Sequence, residues 1–202
     1  NRFVLNWQIP VTCLAAGLVE LIEFTPQGAA ISGRITASTQ HEANMELSII
    51  DIPENGSIIL RPSHLVGLVS TNGSPVVIRR RWSFVRAQAW MTLQFRYFEF
   101  VGPCRLVVAG IRGVRIERID SDQVAGRRTN QNSTIGFSPD LDFGAVKAET
   151  FWAYFRGFNP LFDDLFCGKG TFFCQEISKG QGTGPTRFWA GIRNAALKIL
   201  GV

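Results

Sequence analysis

The sequence is short of the residues on which most enzyme chemistry is built. Its 202 residues include two histidines, four lysines, four cysteines and two methionines. His41 and His64 are neither spaced as metal ligands nor set beside a nucleophile motif. Cys13, Cys104, Cys167 and Cys174 form no C-x-x-C pair, which excludes the common zinc-ribbon and thioredoxin-like arrangements. Each lies among apolar neighbours and reads as a buried thiol, with a reducing compartment favoured and one disulfide as the alternative. The chain also lacks G-x-S-x-G, H-E-x-x-H, a P-loop and a G-x-G-x-x-G after a strand. Charged residues make up 18%, below the ~25% of an average soluble domain. The longest apolar run, Val11 to Phe24, is broken by Glu20 and Glu23, so no membrane-spanning helix is expected. No cofactor, metal or catalytic constellation is expected, and a non-enzymatic role follows.

Three fragments look like chemistry and are read otherwise. Gly180-Gln-Gly-Thr-Gly184 is followed by Pro185 rather than Lys and Ser/Thr, so it is a flexible lead into a helix. Asp140-Leu-Asp-Phe-Gly144 starts like a calcium loop but has no glutamate at the twelfth position. Asp163-Asp164 reads as a solvated turn after Asn159-Pro160.

Strand signals dominate what is present. Twenty glycines and nine prolines punctuate short apolar runs, the pattern of an all-β sandwich or barrel. Strands are expected at 45–52, 57–60, 65–70, 76–84, 93–101, 105–109 and 113–119. Asn55-Gly56 and Asn72-Gly73 are expected to close tight hairpins, and 121–132, being polar, to be a loop or linker. Two helices interrupt the strands. One, near 148–156, holds Phe151, Trp152 and Phe155. The other runs from Pro185 to Leu200 with Phe188, Ile192, Ala195, Ala196 and Ile199 on one face. Arg187, Arg193 and Lys198 occupy its polar side, so this basic amphipathic helix suits either the body of its own domain or an anionic membrane surface. Arg187, Phe188, Trp189, Ile192, Arg193 and Ile199 are its candidate contact residues.

The net charge of +5 is unevenly placed. From Arg79 to Arg118 there are nine arginines and two acids, while from Val19 to Glu54 six acids face Arg34 alone. Arginine forks suit carboxylate or phosphate. Arg79, Arg80, Arg81, Arg86 and Arg96 are therefore candidates for an anionic partner or for a protein interface. Their alternation with apolar residues favours exposed strand positions paired with acids, within the chain or across a subunit boundary. Trp82, Trp90, Phe95 and Phe98 in the same segment supply stacking rings to a nucleic-acid reading, against which stands packing in a core.

An internal echo is also visible. Ser63-His-Leu-Val-Gly67 resembles Ser133-Thr-Ile-Gly136, and Phe100-Val-Gly102 resembles Phe166-Cys-Gly168. It implies two related β modules, 1–120 and 121–202, packed as one unit.

Several longer stretches carry a family resemblance. They are Glu54-Asn-Gly-Ser-Ile-Ile-Leu-Arg-Pro-Ser-His-Leu-Val-Gly, Phe95-Arg-Tyr-Phe-Glu-Phe-Val-Gly-Pro-Cys-Arg-Leu, Ile135-Gly-Phe-Ser-Pro-Asp-Leu, Glu149-Thr-Phe-Trp-Ala-Tyr-Phe-Arg-Gly and Pro160-Leu-Phe-Asp-Asp-Leu-Phe-Cys-Gly-Lys-Gly. In order and spacing, over residues 45–202, the chain resembles the altered inheritance of mitochondria protein 24 family. The resemblance implies a duplicated double-stranded β-helix of the tryptophan RNA-binding attenuator protein type, often trimeric, with no known catalytic residues. It also implies a link to membrane organisation and respiratory complexes in the mitochondrial relatives.

The expectation is thus a mainly β protein of duplicated β-helix or β-sandwich modules, acting as a homo-oligomeric scaffold or as a subunit of a larger complex. An anionic membrane surface is a candidate partner, and nucleic acid ranks below it. No secretory signal pattern is present, and a cytoplasmic setting, at most peripheral to a membrane, is expected.

Overall fold

A computed structural model describes residues 2–5, 8, 10–24, 35–40, 42–71, 75–82, 96–120, 126–148 and 162–176. The helices expected near 148–156 and over 185–200 lie outside them, as does Arg86. Among the described residues the chain is mainly β and all strand pairs are antiparallel. A short ribbon of β1 (Arg2–Val4) and β2 (Val19–Leu21) brackets the helix α1 (Pro10–Ala15).

Among the described residues the body holds three sheets. One has the order β3–β8–β5, from Met45–Ile52, Cys104–Ile111 and Leu65–Ser70. A second has the order β10–β13–β12, from Arg127–Asn130, Phe162–Cys167 and Asp142–Lys147. The third is six-stranded, β6–β7–β4–β11–β14–β9. Its strands are Val77–Trp82, Arg96–Val101, Ser57–Leu60, Thr134–Phe137, Gly170–Gln175 and Val114–Ile119.

Period-two alternation gives this sheet a core on each face. Ile58, Leu60, Phe98, Phe100, Ile135 and Phe173 pack with Ile50, Ile52, Leu106 and Val108 of the β3–β8–β5 sheet. The intervening Ile59, Phe172 and Cys174, with Phe137 and Ile119, pack with Phe143 and Phe166 of the β10–β13–β12 sheet. Phe166 stacks on Phe172 at 4.7 Å between ring centres, and Phe137 on Phe143 at 4.8 Å.

The expected strands are found among the described residues, but the Asn55-Gly56 turn does not close a hairpin, and Asn72-Gly73 lies outside those residues. β3 and β4 flank Asn55-Gly56, yet β3 pairs with β8 while β4 pairs with β7 and β11. Gly56 donates to the Pro53 carbonyl at 2.9 Å in a turn that carries the chain from one sheet to another. The segment holding Asn72-Gly73 likewise joins strands of different sheets. The same holds at Gly102-Pro103, at Arg112-Gly113 and at Gly168-Lys169. Both Phe-x-Gly echoes thus mark corners, and the other echo pair marks two bulges, between Leu65 and Gly67 and between Thr134 and Gly136.

Two further expectations are corrected. Part of the polar stretch 121–132 is strand β10, because its residues ladder onto β13 and its arginines reach Glu117 and Asp163. Asp163 and Asp164 are not in a solvated turn. They lie within β13, and Asp164 is fully buried, because Arg61 and Thr134 compensate it there.

Candidate interaction surface

The arginine segment folds into an edge. β6 is the outermost strand of the six-stranded sheet, so among the described residues its outer backbone has no strand partner. Register against β7 divides its side chains between two faces: Arg79 lies opposite Glu99, Arg80 opposite Phe98, Arg81 opposite Tyr97 and Trp82 opposite Arg96.

The face of Arg79 and Arg81 receives one counter-charge, from a residue the sequence did not single out. Glu99 is 2% exposed and accepts bonds from Arg81 at 2.8 and 3.1 Å and from the Ser57 hydroxyl at 2.6 Å. Burial pushes its carboxyl pKa up. The bonds from Arg81 and Ser57, with the charges of Arg81 and Arg79, outweigh that and hold it below the usual carboxylate range.

The face of Arg80 and Trp82 is different. The Arg96 guanidinium lies 4.4 Å from the centre of the Trp82 ring, a cation–π contact, and its Nη1 donates to the Thr12 hydroxyl of α1 at 3.2 Å. Its Nε is buried and meets no acceptor among the described residues. Burial, and then the charge of Arg80, lower the Arg96 pKa from its ordinary value. Trp82 stays half exposed, whereas Phe98 and Phe100 are 0% and 1% exposed and belong to the core rather than to a stacking surface.

A second polar cluster ties two sheets together. Arg61, at the end of β4, donates to the Gln131 carbonyl and sits 3.4 Å from Asp164 of β13, which also accepts the Thr134 hydroxyl at 2.6 Å. It lies inside the molecule and reads as a staple. His64 is buried too, with Nδ1 3.0 Å from the Ala109 carbonyl. Among the described residues no group of three His, Cys, Asp or Glu is placed to hold a metal. Of the two hollows described, one has almost no interior space. The other, about 260 Å³, is an open depression beside Glu54, Ser70, Pro75 and Pro103. None of the four cysteines is in a disulfide; Cys167 is half-buried and the others are buried. No described helix is long and apolar enough to cross a membrane.

No protein-family model matches the chain, and no curated protein matches it significantly. Among solved structures it is similar to protein SPYM3_0169 from Streptococcus pyogenes, with 12% identity and a TM-score of 0.49. That match covers 75% of this chain, which spans 60% of the Streptococcus protein.

Proposed function

We propose that this is a non-catalytic β scaffold that assembles from copies of itself, with the arginine edge β6 of one copy laid against the acidic edge β3 of the next. The observation that carries the reading is the pair of open edges of opposite charge. β6 presents Arg79, Arg80 and Arg81 in succession. β3, the outer strand of its own sheet, presents exposed Glu46 and Asp51, with exposed Glu42 and Glu54 beyond its ends. Like charges directly opposite one another are unfavourable, so the arginines oppose β6–β6 pairing and select an acidic partner strand. Pairing unlike edges is head-to-tail, and where the rotation between copies closes it makes a ring, such as the trimers that the family resemblance implies. A duplicated double-stranded β-helix, two related modules in one unit, is the fold type we assign on the same resemblance.

Light scattering on the eluting protein tests the assembly. An oligomer is expected at low salt, dissociating as salt screens the edges. Arg79→Glu with Arg80→Glu should yield monomers, and adding Glu42→Lys with Glu46→Lys should restore the oligomer. A strict monomer at low salt overturns the reading. Anionic liposomes in the same run report membrane association, the peripheral component of the proposal, which rests on the basic sequence 185–200.

The alternative is a nucleic-acid-binding module on segment 79–118. It is favoured by half-exposed Trp82 under Arg96 and weakened by the burial of Phe98 and Phe100. Single-stranded RNA that binds at low salt, with affinity falling steeply as salt rises, would support it.

A further inference from the structure

The face of β6 that carries Arg80 and Trp82 holds positive charge that no described acid balances within one chain. Arg80 and Arg96 are diagonal neighbours on adjacent antiparallel strands, a placement that sets their Cα atoms roughly 7–8 Å apart. Two arginine side chains that close together normally share a carboxylate. Among the described residues none lies within ion-pair distance of either one, whereas Arg81 on the opposite face has Glu99 at 2.8 Å. Nor does the adjoining sequence hold a counter-charge, since no Asp or Glu occurs between Glu54 and Glu99. Trp82 stacks on the Arg96 guanidinium but carries no charge, and Thr12 offers only a neutral oxygen. The buried Nε of Arg96 remains a donor without an acceptor, which is costly for a charged group.

We infer that Arg80 and Arg96, with Trp82 as the stacking wall, form a binding site for a phosphate-type oxyanion, free or carried by a lipid headgroup. Two guanidinium forks carried on one face of neighbouring strands suit a tetrahedral group that can bear two negative charges, and a single carboxylate would leave one of them uncompensated. Trp82 orients the Arg96 fork by covering one side of its plane, and α1 braces its far end through Thr12. Arg80, exposed on the edge strand, closes on the anion from the open side. The site lies on the face away from Glu99, so a ligand approaching it does not meet that carboxylate.

The test titrates inorganic phosphate into the full chain by calorimetry. In parallel the chain is floated with phosphatidylcholine vesicles, with and without phosphatidic acid. Saturation at one phosphate per chain is expected, weakened on the order of ten-fold by Arg80→Gln, the loss of one charge-assisted pair. Arg118→Gln removes the same charge from β9, at the opposite edge of the same sheet, and should change nothing. Arg80→Gln alters an exposed side chain and leaves the core intact, so folding does not confound the result. Arg96→Gln should weaken binding at least as much. Flotation only with phosphatidic acid, lost in Arg80→Gln, identifies a headgroup as the source when free phosphate does not bind. The inference is overturned if neither probe binds, or if Arg118→Gln weakens binding as much as Arg80→Gln, which would show a diffuse positive field. Light scattering on each variant separates loss of the anion site from loss of assembly.

Discussion

Asp164 shows what a single side chain can hold together. It has no exposure, it faces Arg61, the residue that follows β4, and it accepts the Thr134 hydroxyl from β11, so one carboxylate ties β13 to β11 and to the end of β4 in the six-stranded sheet. Removing one partner of a buried pair leaves the other uncompensated at a cost of about 3–5 kcal/mol. Asp164→Ala is therefore expected to lower stability by that order in urea unfolding, and Thr134→Val by about 1–3 kcal/mol, since it leaves an oxygen short of one donor. Glu99 gives a pH signature. Its native pKa is depressed, so its contribution is present above the unfolded value, about 4.3, and is lost as pH falls through the lower native value. Thermal melts from pH 7 to pH 3 should show the melting temperature falling below about pH 4.3, with a shallower fall in Glu99→Gln. At this scale the sequence was legible only in part. Arg79, Arg80 and Arg81 could be read as exposed strand positions. Glu99, the lone acid opposite that triplet, could not be assigned to them without the β6–β7 register. The acid-free run from Asn55 to Phe98 was a signal in plain view for an unbalanced arginine surface.

At the level of elements, the β4–β11 seam is the narrow point of the six-stranded sheet. Its register pairs only Gly136 with Leu60 and Phe137 with Ile59. A side chain at Gly136 would place Cβ 2.5 Å from the Ile59 carbonyl oxygen, backbone that cannot yield without parting the strands. The bulge at Ile135 is what sets both Ile135 and Gly136 on the same face, toward the first core. Gly136→Ala is expected to destabilise by about 1–3 kcal/mol, the usual range for overpacking. Amide exchange should rise across β4 and β11 before it rises in β8, which is paired along its whole length on the β3 side. Strand positions were readable because β-branched and aromatic residues alternate between turn signals. Strand partners were not. A turn sequence such as Asn55-Gly56 fixes a reversal of the chain, and whether the reversal stays in one sheet or crosses to another depends on distant partners. The strand β10 was hidden for a related reason, since its polar residues are held by hydrogen bonds and ion pairs rather than by burial.

On the scale of the whole molecule, neither half owns its core. The core that draws most of its residues from 1–120 also contains Ile135 and Phe173, and β9 is paired along its length to β14. A fragment of residues 1–120 is expected to lack cooperative unfolding, checked by circular dichroism and by the dispersion of its amide spectrum. The two modules suggested by the sequence echo are therefore expected to unfold together. The echo itself corresponds to real local devices, a bulge and a corner each used twice, although Leu65 and Ile135 stand in different sheets.

The corners also set a clock. Among the described residues no two strands joined by a short turn are paired with each other, and the sequence neighbours that do pair, β1 with β2, β6 with β7 and β12 with β13, are separated by residues 5–18, 83–95 and 148–161. During synthesis β3 has no partner until β8 has left the ribosome, and β4 must wait for β7 and then for β11. Such non-local pairing places refolding in the millisecond-to-second range rather than the microsecond range of local folds. For much of its emergence the nascent chain carries Ile58, Ile59 and Leu60 uncovered, so its exposure to wrong partners is greatest before the protein has finished being made.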